Sequence, residues 1–116
     1  MALLGIGSTE PEQCSLFQGG HITRQALEEL RQADAVGDVS GHHFNIEGKP
    51  LNLEFHDRLV GIALDDLLAI PLRLGVAGGE VKAPAILGAL RGSYVNLLVT
   101  DSPTAARVLQ LDEESA

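Results

Sequence analysis

The fold is decided by the stretch LGVAGGEVKAPAI, which occupies residues 74–86. Its first residues are apolar and predict a strand. Pro84 predicts the first turn of a helix, because proline lacks an N–H and is tolerated only near a helix start. Gly78, Gly79 and Lys82 therefore lie where the strand ends and the helix begins. Free N–H groups and the helix dipole favour an anion there, but a plain strand-to-helix turn with glycine at positive φ explains the same residues.

The composition indicates one acidic domain with an aliphatic core. The chain has 116 residues, 45% of them hydrophobic and only 3% aromatic, and its net charge is −8. This charge argues against the chain binding nucleic acid by itself, because phosphate contacts need clustered Lys and Arg. The single Cys14 can form no disulfide within the chain and fits a reducing, cytoplasmic setting. Neither a signal peptide nor a membrane span is expected.

Strand and helix patterns alternate along the chain, which predicts a parallel sheet with helices on its faces and right-handed crossovers. The predicted elements are a strand at 1–8, a helix at 22–33, a strand at 35–37, a β-hairpin at 44–55 with its turn at 47–50, a strand at 59–64, a helix at 66–68 capped by Asp65, a strand at 72–77, a helix at 83–91, a strand at 95–99 and a helix at 102–111. The acidic residues 112–116 are expected to form a disordered, solvated tail.

Two polar residues follow predicted strand ends, where α/β proteins bind ligands. Asp38 comes directly after Gly37, so a ligand can approach the backbone closely and its carboxylate can accept two hydroxyl hydrogen bonds, as sugars require. The alternative is an Asx-turn, in which Asp38 bonds its own backbone. Ser8 can donate a hydrogen bond to a ligand or cap the next turn.

Histidine and cysteine give no recognisable metal or nucleophile site. His42 and His43 are neighbours, and neighbouring side chains on a strand point to opposite faces of the sheet. Adding His56 does not produce a zinc-ligand spacing. Cys14 lies among polar residues, without a context that would lower the pKa of its thiol. We therefore predict no metal and no cofactor.

Five runs of residues together resemble the effector domain of SorC/DeoR-type sugar-binding transcriptional regulators. They are GIGS at 5–8, AVGDVSGHHF at 35–44, DRLVGI at 57–62, GVAGGEVKAPAI at 75–86 and LLVTD at 97–101. Their order and spacing match across nearly the whole chain. The resemblance implies an α/β fold with a Rossmann-like parallel sheet, flanking helices and a β-hairpin insertion, similar to the superfamily of sugar-phosphate isomerases and deaminases.

The resemblance also implies a function. Members of this family bind a phosphorylated sugar or related carbohydrate. This binding changes the oligomer and, with it, the binding of a helix-turn-helix domain to DNA. Asp38 is expected to hold sugar hydroxyls, and Lys82 is expected near the ligand. The full set of implied ligand-binding residues is Asp38, Gly78, Gly79, Glu80, Lys82, Ser8 and Asp57. No catalytic residue is implied.

The chain departs from the family pattern in its extent. Residues 1–111 correspond to about the second half of the effector domain, and the helix-turn-helix is absent from this chain. We therefore expect contact with DNA only through such a domain elsewhere, self-association into a homo-oligomer, and a cytoplasmic location without membrane contact.

Two other functions stay open. One is a sugar-phosphate isomerase- or deaminase-like enzyme, with Asp38 or Glu80 as general base and Lys82 stabilising charge, although the chain offers no convincing acid–base pair. The other is a truncated interaction partner that docks onto full-length regulators.

Overall fold

The structure is a computed structural model that describes residues 1–53, 56 and 60–115. Its strands are β1 (Ala2–Gly5), β2 (Gly7–Ser8), β3 (Ala35–Val39), β4 (His42–Asn45), β5 (Arg73–Val76) and β6 (Leu97–Val99). Its helices are α1 (Ser15–Gln18), α2 (Arg24–Gln32), α3 (Leu64–Leu68), α4 (Ala83–Arg91) and α5 (Ser102–Glu114), with a 3₁₀ turn at Glu80–Lys82 before α4.

The strands form two three-stranded sheets. β1, β5 and β6 make a parallel sheet with β5 in the middle, and β2, β3 and β4 make an antiparallel sheet with β3 in the middle. β1 and β2 follow each other directly, so the two sheets share the segment that leads from one to the other. The predicted α/β class, with a parallel sheet, helices and an antiparallel hairpin, is confirmed.

Helix α4 lies at the centre of the main core. Its sequence is apolar on every side, and six of its nine residues are buried, as expected for a helix enclosed by other elements. It contacts β3, β4 and α5. Phe44 from β4 stacks on Tyr94 with ring centroids 4.6 Å apart, which ties the antiparallel sheet to the end of α4. The helix begins and ends where Pro84 and Gly92 predicted.

A smaller core lies beneath α2. Leu27 and Leu30 from this helix pack with Cys14, Ile22 and Ala35. The helix is amphipathic, and its predicted N-cap is confirmed because the Thr23 side chain accepts a hydrogen bond from the Ala26 N–H at 3.0 Å.

One face of the parallel sheet is open. Strand register aligns Leu3, Leu74 and Leu97 in one row, and Gly5, Val76 and Val99 in the next. Leu3 is 69% exposed, and Val76, Leu97 and Val99 are 47%, 50% and 53% exposed. The prediction of buried strands at 1–8 and 95–99 is therefore wrong for this face, although Ala2, Leu4 and Leu98 on the other face pack against the main core.

The hairpin lies earlier in the chain than predicted. β3 and β4 pair around Ser40 and Gly41, which have φ of 51° and 83°, the positive values that a tight hairpin turn requires. A turn does form at 47–50, but beyond it residues 50–53, the described part of the returning chain, pair only at Pro50, which bridges Phe44. Proline lacks the N–H that a continuing strand would need.

Three other predictions need correction. Within the described part of 59–64, residues 60–63 form no strand and Leu64 begins α3. Asp65 does not cap this helix. It lies in the first turn, where its negative charge interacts favourably with the positive end of the helix dipole. α5 continues to Glu114, past the predicted end at residue 111, and Asp112 there accepts a hydrogen bond from Arg91 at 2.8 Å.

Candidate functional site

The candidate site lies at the carboxyl edge of the parallel sheet. Because β1, β5 and β6 are parallel, the segments that follow them meet at the same edge. These segments are 6–8, 77–82 and 100–101. β3 brings Asp38 to the same place, since Asp38 pairs directly with Gly7.

Asp38 lies within β3, not at a turn beyond it as predicted, because the strand continues to Val39. Its carboxylate packs over Gly7, where a Cβ would collide with Oδ1. The Gly41 N–H donates to Oδ2 at 3.1 Å. The Asx-type alternative is therefore realised in part: one oxygen binds the backbone of the hairpin turn, and the strand presents the group beside the sheet edge.

The charge on Asp38 is set by opposing effects. Burial raises the pKa of this carboxyl above its ordinary value, while the Gly41 N–H and then the Lys82 ammonium lower the pKa. His42 and His56 act in the same direction as Lys82. Asp38, half-buried Lys82 and these two histidines therefore form one electrostatic group.

The double glycine does not form an open anion cradle. The Gly79 N–H donates to Thr104 Oγ1 at 2.9 Å and to Asp101 Oδ2 at 3.2 Å, so it is not available to an anion. Gly78 is exposed against the Asp101 carboxylate, and Glu80 is exposed on the 3₁₀ turn that follows. In this segment Lys82 is the cation, and the plain-turn interpretation of the glycines is the better one.

Ser8 lies beside Asp38 in the antiparallel sheet, because it pairs with Gly37 while the preceding Gly7 pairs with Asp38, but its hydroxyl is bonded elsewhere. The Ser8 hydroxyl is buried and accepts a hydrogen bond from the Glu10 N–H at 3.0 Å, which is the capping alternative. Ser8 lines a cavity of about 430 Å³ that has neither Asp38 nor Lys82 on its walls. Asp57 lies outside the described residues.

Sequence reasoning missed a histidine pair next to Asp38. His43 is 1% exposed, and its Nδ1 lies 2.9 Å from Nε2 of His56. The Leu53 N–H donates to Nδ1 of His56 at 2.8 Å, so neutral His56 carries its proton on Nε2 and donates it to His43. Burial, followed by the His56 charge, lowers the pKa of His43 to about 4.

These histidines line a second cavity, of about 570 Å³, together with Ser40 and Gly41. The signal in the sequence is the dipeptide His42-His43, directly after the turn at Ser40 and Gly41. From the sequence, we considered these histidines only as metal ligands. Among the described residues, no cluster of three or more His, Cys, Asp or Glu side chains is arranged to hold a metal ion. The helices of the described chain are also too short or too polar to cross a membrane.

Comparison with known proteins gives the chain a family. Residues 1–110 match the model of the family described as "Putative sugar-binding domain". The transcriptional regulator LsrR of Enterobacter sp. (strain 638) is 40% identical over 112 residues, which are 95% of this chain and 35% of that protein. LsrR of Escherichia coli (strain K12) is 49% identical over 77 residues, which are 66% of this chain and 24% of that protein.

Solved structures agree with the family. A transcriptional regulator from Streptococcus pneumoniae TIGR4 superimposes with a TM-score of 0.86 at 33% identity, over 97% of this chain and 42% of that one. The full-length sorbitol operon regulator SorC from Klebsiella pneumoniae gives a TM-score of 0.81 at 31% identity, over 93% of this chain and 34% of that one. The chain thus spans about a third of the length of the Enterobacter LsrR. It belongs to the family of sugar-binding domains of SorC/DeoR-type transcriptional regulators.

Proposed function

We propose that this chain binds a phosphorylated sugar, or a related carbohydrate effector, through Asp38 and Lys82 as the effector-binding part of a transcriptional regulator of carbohydrate metabolism. The observation that carries the proposal is that the Asp38 carboxylate and the Lys82 ammonium lie near the carboxyl edge of a parallel sheet, close enough for the lysine charge to lower the pKa of the carboxyl. A carboxylate accepts hydrogen bonds from neighbouring hydroxyls, and an ammonium binds phosphate as a point charge.

The remaining predicted residues have smaller roles in this proposal. Gly78 and Glu80 are exposed on the segment that carries Lys82, and they line the approach to it. Gly79 shapes that segment, since its N–H is already bonded to α5. Asp57 and Ser8 stay candidate contacts for a part of the ligand that extends beyond Asp38.

We propose a binding role without catalysis. General acid–base catalysis needs two groups within hydrogen-bond reach of the reacting atoms. Glu80 is exposed on the 3₁₀ turn, and His43 is buried against His56 with its pKa lowered to about 4. Incubation with a sugar phosphate should therefore return the compound unchanged, and turnover that Asp38→Asn abolishes would support the enzyme alternative instead.

Thermal unfolding with a panel of ligands tests the binding proposal. A ligand that binds only the folded chain raises Tm, because at 100 times its Kd it stabilises by about 2.7 kcal/mol. The panel pairs fructose 6-phosphate, ribose 5-phosphate and sorbitol 6-phosphate with the unphosphorylated sugars. We expect at least one phosphorylated compound to raise Tm, and its unphosphorylated form to raise it less.

Matched variants locate the binding. Lys82→Met and Asp38→Asn should remove the rise in Tm. Lys49→Met should keep it, because Lys49 is an exposed lysine paired with Glu47 at 3.4 Å. A rise in Tm that survives both site variants would place the ligand elsewhere and contradict the proposed site.

We also propose that the open face of the parallel sheet is covered in the assembled regulator, either by more polypeptide or by a second subunit. All-parallel sheets are buried on both faces, and enclosing a half-exposed Leu or Val stabilises by about 1 kcal/mol. This face supports the homo-oligomer and interaction-partner interpretations alike. Contact with operator DNA, through a separate DNA-binding domain, and a cytoplasmic location follow from the same proposal.

A further inference from the structure

Helix α5 holds the double-glycine segment through a triangle of hydrogen bonds that joins Gly79, Asp101 and Thr104. The Gly79 N–H donates to Thr104 Oγ1 at 2.9 Å and to Asp101 Oδ2 at 3.2 Å. Thr104 is fully buried although its side chain is polar. The Thr104 side chain, followed by the Thr104 N–H, lowers the pKa of the Asp101 carboxyl. Each member of the triangle therefore contacts the other two.

Asp101 has a second attachment that keeps it in place. Its Oδ1 accepts the Thr104 N–H at 2.9 Å, as the N-cap of α5. The Oδ2 atom lies against Gly78, at 2.8 Å from the point that a Cβ would occupy. The carboxylate is thus bound to the helix by one oxygen and faces the double glycine with the other.

The backbone of Gly79 connects α5 to the turn that carries Lys82. The Gly79 N–H is held by α5, and the C=O of the same residue accepts the Lys82 N–H at 3.0 Å, which closes the 3₁₀ turn. Gly79 has φ of 102° and ψ of 128°, a conformation that only glycine adopts readily. A change in φ or ψ of Gly79 would move the turn relative to α5, and Lys82 with it.

We propose that Thr104 and Asp101 are positioning residues of the effector site, which keep Lys82 on the Asp38 side of the sheet edge by fixing the backbone of Gly79. This inference rests on the proposed function only for the roles of Asp38 and Lys82 toward ligand. The triangle itself can be tested without any ligand.

The test is a cycle of variants read by carbon-13 NMR titration of the Asp38 carboxyl in the full chain. Lys82→Met removes a positive charge near Asp38 and should raise its pKa. In the Thr104→Val background, which keeps the side-chain shape but loses the hydroxyl, the same substitution should raise that pKa by less than half as much. Thr104→Ser keeps the hydroxyl and should restore the full effect.

Each result decides the proposal. An equal effect of Lys82→Met in the wild-type and Thr104→Val backgrounds would overturn it, and so would no effect in the wild type. If Thr104→Val does not fold, Asp101→Asn replaces it, since Asp101 is exposed and asparagine still caps α5. In that variant the side-chain oxygen caps α5 and the NH₂ group faces the Gly79 N–H, which therefore loses its second acceptor. Asp101→Asn should then reduce the rise in the pKa of Asp38 that Lys82→Met causes.

A ligand readout separates this inference from the proposed function. With sorbitol 6-phosphate as probe, Thr104→Val should weaken binding about three- to tenfold, the loss of one hydrogen bond, and Thr104→Ser should restore it. Equal affinity of wild type and Thr104→Val would contradict the positioning role. Absence of binding in the wild type would count against this compound as effector, while the NMR cycle still decides the triangle.

Discussion

Gly79→Ala should destabilise the chain through backbone strain alone. The φ of Gly79 is 102°, and an added Cβ would meet no atom within 4 Å. No steric clash therefore contributes, and the cost is that of an L-residue in a glycine conformation, about 1–3 kcal/mol. For a chain of 116 residues, 1 kcal/mol corresponds to about 4 °C in Tm, so we expect a fall of about 4–12 °C.

Gly5→Ala is the matched control. A Cβ at Gly5 also meets nothing within 4 Å, and Gly5 has no positive φ. This substitution should stabilise by about 0.4–1 kcal/mol, because alanine restricts the unfolded chain. Both variants are measured by differential scanning calorimetry at pH 7. A Tm of Gly79→Ala within 1 °C of wild type, or equal falls for the two variants, would refute the conformational argument.

Three further outcomes are expected. Burial raises the pKa of Asp38 in the folded chain, so stability falls as pH rises through that pKa. Asp38→Asn should therefore raise Tm at pH 7 without ligand, and the gain should disappear in acid. Because the pKa of His43 is lowered to about 4, the unfolded chain takes up the proton first, and urea unfolding should show a loss of about 2 kcal/mol between pH 7 and pH 5 that His43→Gln removes. Leu97→Lys with Val99→Lys, on the open sheet face, should reduce fluorescence of a bound hydrophobic dye at little cost in Tm, whereas Leu98→Lys, on the packed face, should lower Tm.

Local signals in the sequence were sufficient for the helices whose ends depend on nearby residues. α2 begins after its N-cap Thr23, and Pro84 lies in the first turn of α4, so each signal acts within one turn of the helix start that it predicts. The hairpin could not be placed in this way. Residues 47–50 have the stronger turn composition, but the hairpin forms where β3 and β4 pair across Ser40 and Gly41. Ser40 is a non-glycine residue, and only the assembled sheet supports its positive φ.

The sequence indicated candidate site residues but not the contacts that they make. Asp38 and Lys82 are 44 positions apart in the sequence, and motif matching indicated both residues without showing that the lysine charge acts on the Asp38 carboxyl. The Gly79 N–H looked free because its acceptors, Asp101 and Thr104, follow 22 and 25 positions later. The exposure of Leu3 was hidden for a similar reason, since an apolar strand reads the same whether or not another layer covers it.

The most direct test of the central claim is isothermal titration calorimetry of the chain with the phosphorylated sugar that raises Tm most. The account predicts saturable binding that Lys82→Met weakens at least tenfold, while Lys49→Met, at an exposed lysine outside the site, leaves the affinity unchanged. The unphosphorylated sugar should bind wild type and Lys82→Met alike. Equal affinity of wild type and Lys82→Met for the phosphorylated sugar would contradict the assignment of the effector site to the edge of the parallel sheet.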